Sequence, residues 1–393
     1  MLPLAASIPI LTFCVSTATF LFAIQSPRKM RGYLSPLLMG SAIISLCTCS
    51  NLPEFQGIPA LWGLFQCIWM HDAMSLLFFE DFELPPGTTK ERWIYAYKSW
   101  CDPQRRVDWV TLPQSMKDEN VLPSQRVRFA CNRLAKSMFC WILHWYAVAA
   151  IPGHFRLNSK DFAPEREGYI KRLLFQHPRP PITARETEIR IFVSYYWIWI
   201  SYLMLDTCHV VLSIFFVAVL HIDGPGEWRP LFGSPLEAYS IGRFWSRFWH
   251  RLTTPACIAS GHRITRNLSG MRAGSRSEKI LVAFWTFLVS GIFHAISDWQ
   301  AGDTTNPSKD IKFFLTSFVF VMVELQVAKL SKGLLSIHGS YGRMFRSAVV
   351  ARLAGYAWIL CFFFWISPKW QYAKLYRAVK DAEYLALLKA LGL

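Results

Sequence analysis

Seven stretches of this sequence are apolar for about the length that a lipid bilayer demands, and they decide what the chain can fold into. A helical crossing takes roughly 20 residues. Leu4 to Ile24, Tyr33 to Cys49, Ile58 to Phe79, Ile191 to Leu220, Ile280 to Trp299, Ile311 to Leu330 and Ala348 to Ser367 reach or approach that length. Ser137 to Ile151 is shorter and ambiguous. Backbone amides find no water inside a bilayer, so such runs close their hydrogen bonds internally as helices. The expected fold class is all-α, a polytopic transmembrane helical bundle of about eight spans. Composition agrees, because 53% hydrophobic against 17% charged residues does not suit a water-facing surface.

The net charge of +16 sits mainly in the segments between these runs, the topological bias of a membrane protein. No soluble module carries a basic patch for nucleic acid, so that partner is excluded. Arg28, Lys29 and Arg31 follow the first run and no basic residue precedes it, which reads as a retained first span with a non-cytosolic N-terminus. A polar segment from 81 to 136 is then a cytosolic loop. The basic segment Pro152 to Arg190 leaves two topologies open. Either Ser137 to Ile151 spans and the basic segment is luminal, or that stretch does not span and Ile191 to Leu220 splits into two short helices. Both put the loop from His221 to Lys279, with its nine Arg and Lys residues, in the cytosol. The ten cysteines show no C-x-x-C pair and no zinc spacing, so no metal site is expected.

Ionisable groups in apolar spans are costly and are functional candidates by default. Here they are His71, Asp72, His144, Asp206, His209, His294 and Glu324. For any one alone, an interhelical hydrogen bond is the commoner explanation. His294 differs through its context, Ser290-Gly291-Ile292-Phe293-His294. Ser290 and His294 share a helix face, and Gly291 permits close approach of a neighbour. A neutral imidazole in such a setting is available as a base, which deprotonating an alcohol requires. His294 to Asp298 also fits the H-x-x-x-D pattern of soluble acyltransferases, a weak match in which Asp298 reads as a solvated residue at the span's end.

The second constellation is Leu231-Phe-Gly-Ser-Pro-Leu-Glu-Ala-Tyr-Ser240, followed by Arg243-Phe-Trp-Ser-Arg-Phe-Trp-His250-Arg251. A helix after Ser240 sets Arg243, Arg247, His250 and Arg251 on one face and Trp245, Phe248 and Trp249 on another. Such a segment reads either as an interfacial anchor or as a cradle of guanidinium groups for the phosphates of coenzyme A.

Together these blocks resemble the wax synthase branch of the membrane-bound O-acyltransferase superfamily. The first resembles its signature, and Ser290 to His294 resembles its active-site histidine motif. Against the sterol and diacylglycerol acyltransferase pattern F-Y-x-D-W-W-N, Arg247 replaces the acid and His250 the asparagine. The resemblance covers the C-terminal half, dividing the chain into an N-terminal transmembrane region, 1–190, and a wax synthase-like catalytic region, 191–393. It implies His294 and His250 as catalytic residues and Arg243, Arg247 and Arg251 as binding an acyl-CoA co-substrate, with no permanent cofactor. It also implies an acceptor hydroxyl on a terpenoid or meroterpenoid in secondary metabolism, with fatty alcohols the alternative, and the endoplasmic reticulum as the membrane. A transporter or lipid-binding scaffold is the competing class, and would be favoured by an inverted repeat, which the sequence lacks. Counted at 1.5 Å per residue, His294 lies roughly 20 Å from the cytosolic start of its span.

The sequon Asn267-Leu268-Ser269 tests the topology. A cytosolic loop leaves it unmodified, so endoglycosidase treatment should not alter gel mobility; a shift would put the loop in the lumen.

Overall fold

The computed structural model describes residues 4–53, 57–80, 82–101, 121–175, 181–303, 306–337 and 348–390. The rest of the expected 81–136 loop, from 102 to 120, lies outside the described residues. In chain order the helices are α1 (Leu4–Gln25), α2 (Arg28–Cys47), α3 (Ile58–Met74), α4 (Thr89–Cys101), α5 (Pro123–Leu143), α6 (Ala150–Phe155), α7 (Pro164–Glu167), α8 (Tyr169–Phe175), α9 (Ala184–Ile214), α10 (Ile241–Arg243), α11 (Thr254–Arg263), α12 (Arg276–Gln300), α13 (Ser308–Ile337) and α14 (Ala348–Ala390). No strand occurs among the described residues.

Seven of the described helical stretches are long and apolar enough to cross a membrane: α1, α2, Pro123–Phe155, Ala184–Val219, α12, Ser308–Leu330 and Val349–Lys389. The apolar α3, which was expected to span, runs on without a break into a widened turn, Ser75–Phe79, but is not among these seven. The protein is a polytopic helical bundle. One open question closes here, because the apolar run from 191 to 220 is not split. Thr183 caps α9 by accepting from Glu186 N–H at 3.1 Å, and the helix continues through Phe215–Val219. The alternative with two short helices needs a break that this helix does not have.

The chain divides into two compact units that interleave in sequence, 1–110 with 251–322 and 111–250 with 323–393. The sequence-based division at residue 190 rests on resemblance and not on packing. Within the first unit, α1 packs on α3 through Phe13, whose ring meets Trp62 and Trp69 edge-on at 5.4 Å each. Arg31 is buried there and donates to four carbonyls, those of Ile24, Ser26, Leu77 and Phe82. Helix ends leave such carbonyls unpaired. One guanidinium therefore serves the C-terminal end of α1 and the chain beyond α3 together.

The second unit solves a related problem inside a helix. Pro368 lies within α14 and has no N–H to give the carbonyl four residues earlier, that of Phe364. Arg190 of α9, fully buried, fills the gap: its Nε donates to Phe364 O at 3.1 Å and its Nη1 to Arg166 O at 3.2 Å. Its charge lies against the rings of Tyr169 and Phe364, 5.1 and 5.2 Å from their centroids. Around it, Arg166 and Arg172 both bind Glu186, and Arg185 binds Asp161 at 2.7 Å.

Arg190→Met should therefore cost about 1–3 kcal/mol, the price of an unserved buried carbonyl, read as a lower thermal midpoint of the solubilised protein. In a Pro368→Ala background the loss should shrink, since residue 368 regains an N–H for Phe364. An equal loss in both backgrounds would refute the assignment.

Candidate active site

His294 sits half-buried on α12, in the first unit. Its ring stacks on Phe314 of α13 with centroids 4.9 Å apart. The close approach of the two helices depends on Gly291, where a Cβ would come within 2.9 Å of the Ile311 Cα. The Ser290 hydroxyl donates to Thr286 O at 2.9 Å, so its proton is committed to the helix backbone. A turn further on, Ser297 donates to the Ala60 carbonyl of α3, fixing the other side of the helix.

The residue beside His294, Phe293, leads to a cluster that the sequence did not reveal. Its ring meets the His71 imidazole at 5.5 Å, nearly perpendicular. His71 Nε2 lies 3.1 Å from Ser260 Oγ, which also accepts from Trp285 Nε1 at 2.9 Å. Ser260 gives its own proton to Ala256 O at 2.9 Å, which leaves His71 Nε2 as the donor to Ser260. Cys257 Sγ is 3.9 Å from His71 Nδ1. Burial pushes that thiol up to about 12, which favours its neutral form. His71 thus ties α3 to α11 and α12 by an interhelical bond. The helix α11 lay unrecognised in what read as a loop, although Pro255 in its first turn is a start signal.

Other ionisable residues of the spans are also structural in geometry. Asp206 pairs with Lys136 at 2.9 Å, His144 Nδ1 accepts from Trp199 at 3.3 Å, and His209 packs on Trp228.

The block bearing His250 belongs to the second unit and departs from the expected amphipathic helix. α10 is only one turn long and continues as a widened turn, Phe244–Phe248, closed by Trp249 N–H to Phe244 O at 2.8 Å. Trp249 is extended, so the helix stops before His250. Of the aromatic residues expected on one face, Trp249 is buried, while Trp245 and Phe248 are half-buried. Phe244 and Trp249 are buried with Trp197, and Phe244 also with Phe363, at centroid distances of 4.8–6.3 Å. Gly233 lies directly under the turn: its N–H bonds Phe248 O at 2.9 Å, and a Cβ there would collide with the Arg247 carbonyl. Phe232 then sets its ring edge-on to His250 at 5.6 Å.

The three arginines have different surroundings. Arg243 is ion-paired with Glu237, donates to the Glu237 carbonyl at 3.0 Å and lies 4.3 Å over the Tyr239 ring. Arg247 and Arg251 are exposed, with no carboxylate partner among the described residues. The division between units falls between His250 and Arg251, so Arg251 and His294 belong to one unit and Arg243, Arg247 and His250 to the other. No cluster of metal-ligating residues occurs among the described residues.

Both constellations fall inside one stretch that can be compared with known proteins. The sequence profile of the membrane bound O-acyl transferase family matches residues 228–316. The similarity to the membrane bound O-acyl transferase family lies in this segment. Among curated proteins, the acetyltransferase fsoF of Humicola fuscoatra is 32% identical over 224 residues, which is 56% of this chain and 52% of that one. The acetyltransferase atnC of an Arthrinium species is 30% identical over 210 residues, 53% and 46% of the two chains. The acetyltransferase aurG of Calcarisporium arbuscula is 27% identical over 212 residues, 54% and 48%. The chain spans about half the length of these curated relatives. No solved structure gives a significant match.

Gly291→Ala should force α12 and α13 apart and cost about 1–3 kcal/mol of stability. It should also lower any activity that depends on His294. Unchanged thermal unfolding would show that the contact yields freely.

Proposed function

We propose that this chain is an integral membrane O-acyltransferase that moves an acyl group, most simply acetyl, from acyl-CoA to a hydroxyl of a hydrophobic acceptor. The observation that carries the reading is the family match over residues 228–316, which takes in both His250 and His294. Relatives named acetyltransferases support the acyl group. The acceptor we assign is a hydroxylated terpenoid or meroterpenoid of secondary metabolism, and the membrane is the endoplasmic reticulum.

The chemistry is direct transfer. His294 takes the hydroxyl proton as the acceptor oxygen attacks the thioester carbonyl. His250 polarises that carbonyl or places the donor. When the C–S bond breaks, the imidazolium of His294 protonates the departing thiolate, so the histidine ends as it began. No acyl-enzyme is required, in keeping with the neutral, buried thiol of Cys257. Of the three arginines, Arg243 already answers Glu237, so contact with the donor's phosphates falls chiefly to Arg247 and Arg251.

The test supplies membranes with radiolabelled acetyl-CoA and a hydroxylated terpenoid, with a fatty alcohol as parallel acceptor. The wild type should form ester, and His294→Ala should lose about a hundredfold or more. Ester formation retained by a well-expressed His294→Ala variant would remove that residue from the mechanism. Arg247→Ala should raise the KM for donor while leaving that for acceptor, and an unchanged donor KM would return the arginine to topology.

A further inference from the structure

Glu324 lies on α13 between Val323 and Leu325, a setting in which an acid is costly unless it is used. Its carboxylate receives three hydrogen bonds, all within the second unit. Oε1 accepts from the Ile241 N–H at 2.7 Å and from the Trp358 indole at 2.8 Å, and Oε2 accepts from the Gly242 N–H at 2.9 Å. Ile241 and Gly242 are the first two residues of α10, whose amides have no partner inside the helix. The third amide, of Arg243, is taken by Ser240 Oγ at 3.1 Å. The start of this turn is therefore bonded completely, and two of its three bonds come from another helix. A local cap would have sufficed to start a helix. An acid from α13 does more, because it fixes the turn against α13 and, through Trp358, against α14.

From that start the path to His250 leaves little freedom. Ile241 and Phe244 are buried, Trp249 N–H closes back on Phe244 O, and Gly233 holds Phe248 O. A tilt of the first turn is passed along this closed loop to the imidazole at its end. The interactions are charge-assisted at a helix N-terminus, where a carboxylate is favoured and an amide is not an equivalent.

We propose that Glu324 is a positioning residue for His250: by holding the amides of Ile241 and Gly242 it sets the orientation of the imidazole. The assignment rests on the reading of His250 as the group that meets the acyl donor. It adds a residue outside the matched segment, 228–316, to those on which transfer depends.

The experiment uses the full chain in detergent micelles. Glu324→Gln keeps shape and one acceptor oxygen but turns a donor toward Gly242 N–H. Ring-labelled histidine NMR, with the His250 signal identified by its loss in His250→Ala, should show that signal shifted while the His262 signal stays. Trp358→Phe, which leaves both amide bonds, should leave the His250 signal in place, and Glu324→Asp should shift it in the same direction but less, should the glutamine variant fail to fold. In transfer assays E324Q should lose tenfold or more in kcat at unchanged acceptor KM. In a His250→Ala background the same substitution should cost less than threefold. An unmoved His250 signal overturns the clamp whether or not the protein transfers acyl groups. A moved signal with equal losses in both backgrounds overturns the link to His250. A wild type inactive with every donor and acceptor sinks the acyl-transfer reading, and the NMR outcome still decides the clamp.

Discussion

A backbone carbonyl or amide that loses its partner inside a bilayer has no water to turn to, and at three departures from regular helix in this protein a side chain makes good the loss. Pro368 frees the Phe364 carbonyl, and Arg190 takes it up. The ends of α1 and of the chain beyond α3 leave four carbonyls, and Arg31 collects them. The first turn of α10 exposes amides, and Glu324 with Ser240 receives them. Charged groups of this kind would be liabilities on a regular helix. They are tolerated because the alternative is a bare peptide group of comparable cost.

The same constraint explains which intramembrane ionisable residues are plainly structural. Asp206 is matched by Lys136, His144 by Trp199, His71 by Ser260 and Glu324 by two amides and an indole. His294 is placed differently, on a helix face between contacts made by Ser297 and Gly291, with an aromatic ring stacked on it. Packing of that kind holds an imidazole in place against α13.

The spans were legible because lipid enforces long apolar runs, and the close approach of a neighbouring helix at Gly291 was legible because a glycine in an apolar span leaves room for one. The topology of 152–190 was not, and the reason is physical. The charge rule counts cations that face water near a membrane, whereas Arg166, Arg172, Arg185 and Arg190 are tied to Glu186, Asp161 and backbone carbonyls. Counting them as free charge made the segment look more basic than its surface is. The His250 block misled for a similar reason. Its aromatic and basic residues alternate with helical period, but the widened turn and extended Trp249 end the helix early. Trp197, distant in sequence, buries Trp249, one of the aromatic residues that looked ready for lipid.

That early stop has a consequence for the chemistry. A histidine within a helix is oriented by the helix axis, whereas one just past its end is oriented by whatever holds the chain there. His250 is held by Phe232 on one side and by the loop closed at Gly233 and Phe244 on the other. Arg247, one turn earlier, is exposed with no acid beside it among the described residues, while Arg243 is spent on Glu237 and Tyr239. The block therefore presents an exposed cation, Arg247, and an imidazole at its packed end.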